Sequence, residues 1–216
     1  MFENVATTPK SASGVSKKST KRKIGVLVEE HFDATEYWKF NGFFPAYGYE
    51  VQYLSHLWKQ PQLRFGSNPD NDRIDFHVTV PKENEINDVD LADYAGIILI
   101  GAYAMDRLRY EEHPEKGKPN QSPAVRFLRK AMNTPGLKIG VICHSLWLFC
   151  AAPELLKGRK VTCAHHIICD VENAGGDVQF GKDGTTEVVV DGNLISGKHP
   201  AYVDQFLAAF VEEIEK

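Results

Sequence analysis

Short apolar runs rich in β-branched residues alternate along this chain with stretches of helical spacing, and few folds accept that alternation. The runs are Ile24 to Val28, Val51 to Leu54, Ile97 to Ile100, Lys138 to Ile142 and Lys160 to Cys163. Helical candidates lie between them, around Thr35 to Tyr47, Pro123 to Met132 and Ser145 to Leu156. Continuous apolar strands separated by helices predict an α/β fold, with a mostly parallel central sheet covered by helices on both faces. Ser145 to Ala152 is apolar nearly all round, which predicts a buried helix that Pro153 kinks or ends.

The chain has 216 residues, 43% apolar and 25% charged, enough for one sizeable core and one domain with appendages. Its first 23 residues hold six Lys/Arg against one Glu, so the body is more acidic than the formal charge of −4. An acidic body argues against binding nucleic acid, whose affinity rests on clustered cations. Residues 1–22, rich in Ser, Thr and Lys, read as a disordered or arm-like basic tail, and residues 23–216 as the folded domain. No run of eighteen apolar residues and no apolar secretory segment occurs, so no membrane role is expected and the cytoplasm is the expected compartment. Import into an organelle through the basic tail stays open. The four cysteines, Cys143, Cys150, Cys163 and Cys169, show no CxxC pair and no zinc spacing, and read as free thiols.

TTEVVVDGNLIS, from Thr185 to Ser196, places two β segments around Asp191-Gly192 and predicts a hairpin. Val203, Phe206, Leu207, Phe210, Val211 and Ile214 form one apolar stripe at helical spacing, so the C-terminal helix docks on the body. Two polar segments, Lys59 to Arg73 and Glu111 to Gln121, read as long loops. Tyr37, Trp38, Phe40 and Trp58 read as a core cluster near the start of the sheet.

LKIGVICHSLWLFC puts Cys143 where a buried strand ends and a helix begins. A turn this sharp strains the backbone of its central residue and aims the side chain over the carboxyl edge of the sheet, where open α/β sheets bind ligands. A helix N-terminus is expected to lower the thiol pKa, and His144, next in sequence, is positioned as general base or acid. Against this stands the plainer possibility of a small buried hydrophobe.

GVICHSLWLFCAAPELLKGRKVTCAHHIICDVENAGG resembles the ThiJ/PfpI superfamily, in its intracellular-protease-like branch. The likeness begins at KIGVLVEEHFDATEYW, continues through DYAGIILIGAYAMDRLR, and ends in VVVDGNLISGKHP and the last helix. It implies a flavodoxin-like three-layer α/β sandwich with a nucleophile elbow, assembled as a homodimer or larger homo-oligomer. In that family a carboxylate after the first strand bonds the reactive cysteine. Asp33 matches it, although Asp33 with Glu36 also reads as a capping box; should Asp33 be only the cap, the partner is to be sought at Glu29, Glu30 or Glu36. The branch completes a Cys-His-acid set from a neighbouring subunit, and Asp106 matches that acid; a surface ion pair with Arg107 or Arg109 is the competing role. Ile100-Gly101-Ala102 replaces the family's Pro-Gly-Gly, so an oxyanion hole is expected from the N–H groups near Gly101 and Ala102, while Ser145 replaces the glycine of the elbow.

Of His165 and His166, which follow a strand end, His165 is taken as the residue at the pocket mouth; no carboxylate pattern accompanies them, so no metal is expected. His199-Pro200 resembles the late histidine of glutaminase domains, but Ala201 stands where those need an acid. No GxGxxG or Walker pattern follows a strand, so no cofactor is expected. The resulting expectation is a Cys143-dependent enzyme acting on a small electrophile. A reactive carbonyl such as a 2-oxoaldehyde fits best, because glutathione-independent glyoxalase or deglycase chemistry is known in similar proteins. A peptidase, a hydratase, or a redox sensor or holdase using the same cysteine are the alternatives.

Overall fold

The computed structural model describes residues 22–70 and 76–216. In chain order the elements are β1 (Lys23–Leu27), α1 (Ala34–Ala46), β2 (Val51–Leu54), β3 (Gln62–Gly66), β4 (His77–Pro81), β5 (Tyr94–Leu99), α2 (Ala104–Leu108), α3 (Pro123–Met132) and β6 (Lys138–Ile142). There follow α4 (Trp147–Cys150), α5 (Pro153–Leu156), β7 (Lys160–Val161), α6 (Ile168–Asn173), β8 (Asp177–Val178), β9 (Phe180–Gly181), β10 (Gly184–Thr185), β11 (Val188–Asp191), β12 (Leu194–Gly197) and α7 (Val203–Glu215).

The central sheet has six strands in the order β11-β12-β6-β5-β1-β2, all parallel except β11. Its middle strands are buried along nearly their whole length, and every residue of β5 is buried. That burial explains why they read as unbroken apolar runs rather than alternating ones. On one face α7 packs against β6 and β12 and beside α1, with Phe44 and Phe210 in edge contact at 6.1 Å. Gly96 and Gly140 make room for this helix: a Cβ would lie 2.5 Å from the Phe210 ring at Gly96 and 2.8 Å from Phe206 at Gly140. Burying rings of that size contributes about 1.5–3 kcal/mol each. Helices α2, α3 and α4 pack together to cover the sheet's other face. The expected three-layer, flavodoxin-like α/β architecture is the one observed.

The C-terminal hairpin forms as expected, with Asp191 opposite Leu194 and a left-handed Gly192 in its turn. Four local expectations need correction. The run from Lys160 does not enter the central sheet; β7 is two residues long and pairs only with β8, because β12 already occupies the edge of β6. The helix expected from Ser145 to Leu156 is two single turns, α4 and α5, broken at Ala151-Ala152 because Pro153 starts the second. The polar segment from Lys59 is not all loop: β3 pairs with β4 as an antiparallel hairpin, in which Leu63, Phe65, Val78 and Val80 turn inward. Of the four aromatics taken as one core cluster only Phe40 is fully buried, while Trp38 is 59% exposed and Trp58 packs elsewhere against Tyr110. The basic tail, except Arg22, and residues 71–75 lie outside the described residues. No helix among the described residues is long and apolar enough to cross a membrane.

Candidate active site

Four parallel strands end at one place. The chain leaves β1 into His31 to Asp33, β5 into Gly101-Ala102, β6 into Cys143-His144 and β12 into His199-Pro200. Three of these exits place a non-glycine residue in the left-handed region: His31 at φ 62, Ala102 at φ 57 and Cys143 at φ 59. Each such conformation costs about 1–3 kcal/mol, and strain of this kind gathers at functional sites. At the elbow itself the Ser145 hydroxyl accepts the Ile142 N–H at 2.6 Å, and the Cys143 N–H donates to the Gly197 carbonyl at 3.0 Å. These bonds fix the turn from both sides.

Cys143 faces a cavity of about 380 Å³. One side is lined by Ala102, Tyr103, His144, Ala164, His166 and His199, the other by Asp33, Thr35, Asn68 and Asp70. His144 Nδ1 lies 3.6 Å from the sulfur. The backbone N–H groups of Ala102 and His144 also point to the sulfur. The imidazole lies nearly parallel to the rings of Trp147, at 5.0 Å, and Tyr103, at 6.0 Å; Arg109 sits over Trp147 at 5.9 Å.

Two carboxyl groups, those of Glu36 and Asp33, flank this centre. The side chain of Asp33 caps α1, accepting the Glu36 N–H at 2.9 Å, while also reaching the cavity wall. Glu36, fully buried, turns inward on the same helix face as Phe40 and Phe44. Its Oε2 accepts the Gly101 N–H at 2.6 Å, and its Oε1 has no hydrogen-bond partner among the described residues. A Cβ at Gly101 would lie 2.5 Å from that Oε1 and 3.0 Å from Cys143 Cβ, so glycine is what lets the carboxyl and the cysteine approach.

The electrostatics follow from burial. Desolvation pushes the Cys143 thiol up, negative charge on Glu36 and then Asp33 would push it further, and the N–H groups of Ala102 and His144 oppose the shift. Desolvation likewise drives the Glu36 carboxyl well above the usual range, with Asp33 adding to it and the Gly101 N–H opposing. Burial, followed by the neighbouring His166, His199 and His165, lowers His144 to about 4. At neutral pH the resting pair is therefore thiol and uncharged imidazole.

Several sequence expectations change here. The thiol is raised, not lowered, because burial, with the Glu36 and Asp33 carboxyls adding to it, outweighs the amides that favour the thiolate. Gly101 does not contribute to an anion hole, since its N–H is taken by Glu36; Ala102 and His144 supply the two donors. Ser145 is wholly buried inside the turn it fixes and does not line the cavity. His165 lies against His166, ring centroids 3.7 Å apart and tilted by 36°, and it is His166 that takes the wall position expected of His165. Asp106 is paired with Arg109 in the wall of a different hollow, of about 540 Å³, beside Trp58 and Arg107. That larger hollow carries no nucleophile, so the chemistry points to the smaller one. Among the described residues no group of three or more His, Cys, Asp or Glu could hold a metal ion. Sequence reasoning held Glu36 only in reserve behind Asp33, and preferred His165 to His166. The available signal for Glu36 was its spacing, four and eight residues before Phe40 and Phe44 on an otherwise apolar stripe.

Known proteins share this fold and match along much of this sequence. Protein/nucleic acid deglycase 2 of Escherichia coli is 28% identical over 180 residues, covering 83% of this chain and 90% of its own length. Deglycase PfpI of Pyrococcus furiosus is 32% identical over 126 residues, or 58% of this chain and 66% of its own. Among solved structures, a mutant of a DJ-1 superfamily protein from Salmonella typhimurium matches with a TM-score of 0.65 at 21% identity, covering 90% of this chain and 91% of that one. DJ-1beta of Drosophila melanogaster gives 0.65 at 16% identity, covering 90% of each. Residues 22–213, from the first strand to the last helix, match the DJ-1/PfpI family, and it is to this family that the chain belongs.

Proposed function

We propose that the protein is a cysteine-dependent enzyme that converts small reactive carbonyl compounds, 2-oxoaldehydes above all, without a cofactor. The observation that carries this reading is the convergence on one sulfur of a base and two N–H donors: His144 Nδ1 at 3.6 Å and the backbone amides of Ala102 and His144. An aldehyde carbon placed over Cys143 meets the nucleophile, while its oxygen meets preorganised donors. As the C–S bond forms, the thiol proton passes to His144 Nδ1; the oxygen, held by the two amides, then takes that proton to give a hemithioacetal. Moving the C1 hydrogen to C2 as a proton gives the thioester of a 2-hydroxy acid, and water releases the acid and regenerates the thiol. No outside electron donor is needed, because C1 is oxidised as C2 is reduced.

Glu36 serves this chemistry as a neutral acid. With Oε2 engaged by Gly101 and Oε1 free to carry the proton, a neutral Glu36 adds no negative charge beside the sulfur as charge develops there. The deglycase names of the relatives support a carbonyl substrate. Asp106, on the outer side of α2, joins the site only from a second copy of the chain, which makes a homodimer or larger assembly the active unit. The test is product analysis: the purified protein converts 2-oxopropanal to 2-hydroxypropanoate, and Cys143→Ala does not. Cleavage of peptides with no aldehyde turnover would replace this reading with a peptidase.

A further inference from the structure

We infer that His166 and His199 form a second oxygen site in the cavity that Cys143 lines, which makes the enzyme selective for vicinal dicarbonyls over simple aldehydes; this rests on the carbonyl reading above. The nucleophile and the two amides handle one carbonyl group. A 2-oxoaldehyde brings a second oxygen on the adjacent carbon, where a simple aldehyde brings only hydrogens. A site built to hydrogen-bond an oxygen favours the substrate that carries it over the analogue that lacks it.

The cavity supplies such partners from its imidazole wall. His199 caps the turn at Pro200 to Tyr202, its Nδ1 accepting the Ala201 N–H at 3.2 Å. That bond fixes the neutral tautomer, so Nε2 carries the proton and is a donor. His166 stands on the same wall with its ring 5.8 Å from His144, close enough to serve the same small substrate. The His165 ring touches that of His166, tilted by 36° with centroids 3.7 Å apart. Both rings line the cavity from segments that follow strand ends, His166 in a short 3-10 turn after β7 and His199 after β12, and their effect on His144 is secondary to that of burial.

The test compares His166→Gln and His199→Asn with the unchanged protein; Asn retains an acceptor for the Ala201 cap while withdrawing the Nε2 donor. Three quantities are read: kcat/KM for 2-oxopropanal, the inhibition constant of propanal as a reversible thiol adduct, and the rate of Cys143 alkylation by iodoacetamide. The expected result is a fall of roughly tenfold or more in kcat/KM for the dicarbonyl in each variant, with propanal inhibition and alkylation changed less than about twofold. Equal losses for both carbonyl probes, or no loss, overturn the second oxygen site. Both rings lie at the exposed mouth, so melting should not move; if it does in one variant, His166→Asn or His199→Ser is read by the same ratio of the two probes. If the unchanged protein fails to turn over 2-oxopropanal, the functional reading falls and takes this one with it. Full turnover by both variants removes only the second oxygen site.

Discussion

At the scale of single residues, the proposed chemistry calls for a carboxyl group that keeps its proton. Glu36 and Cys143 are buried together, and desolvation raises both. If Glu36 is neutral, Glu36→Gln changes no charge, and its Cys143 alkylation profile between pH 6 and 8 should overlay that of the unchanged protein. A profile displaced toward lower pH in the variant would mean that an ionised Glu36 had been repelling the thiolate. Stability gives an independent reading. The native state holds the Glu36 proton above the pH at which an unfolded glutamate, near 4.5, releases it. Unfolding therefore releases a proton, and stability should decline as pH rises from that value toward the folded pKa. Glu36→Gln removes this decline, as denaturant midpoints measured from pH 5 to 9 will show. His144 has the opposite sign: lowered to about 4, it stays neutral in the native state, so its contribution is lost as pH falls through that value. Cys143 itself was legible in sequence from the strand-to-helix pattern. Its pKa was not, because burial depends on neighbours that only the folded chain brings together.

At the scale of elements, the elbow is held by Ser145, and the fold explains why serine serves where the family has glycine. Its hydroxyl accepts the buried Ile142 N–H, so Ser145→Ala strands a donor and should destabilise by about 1–3 kcal/mol, measured as a shift in urea midpoint. Thiol alkylation should change as well, since the turn loses a tether. Ala102 presents the converse case, a β-carbon held at φ 57; Ala102→Gly should relieve strain of about 1 kcal/mol while keeping the amide that faces the sulfur. Lower stability in that variant would show that the methyl group packs more favourably than its backbone is strained. The long elements were legible because β1, β5, β6 and α7 carry unbroken apolar patterns. The β3-β4 hairpin and the break between α4 and α5 were not. In the hairpin, polar residues on the outer side mask the inward positions, and Pro153 sits where a helix can start as well as end.

For the molecule as a whole, the parallel strand order brings four strand exits together, and the site is a product of that topology rather than of any one motif. This is why motif reading reached Asp33, which lines the cavity, yet chose His165 where His166 stands in the wall: the resemblance fixed the neighbourhood, while helix phase turned Glu36 inward beside it. Asp106 belongs to this scale too. It faces away from the cavity within its own chain, so Asp106→Asn should lower turnover without changing the assembly seen by light scattering; full activity in a dilute monomer would dispose of a shared site. The central claim is that Cys143 turns over a small dicarbonyl. Mass spectrometry of 2-oxopropanal incubated in deuterated water with the purified protein tests it most directly. The account predicts 2-hydroxypropanoate from the unchanged protein, a thioester adduct on Cys143 trapped early in the reaction, and neither species from Cys143→Ala. Product formed equally by Cys143→Ala, or none formed by the unchanged protein, would contradict it.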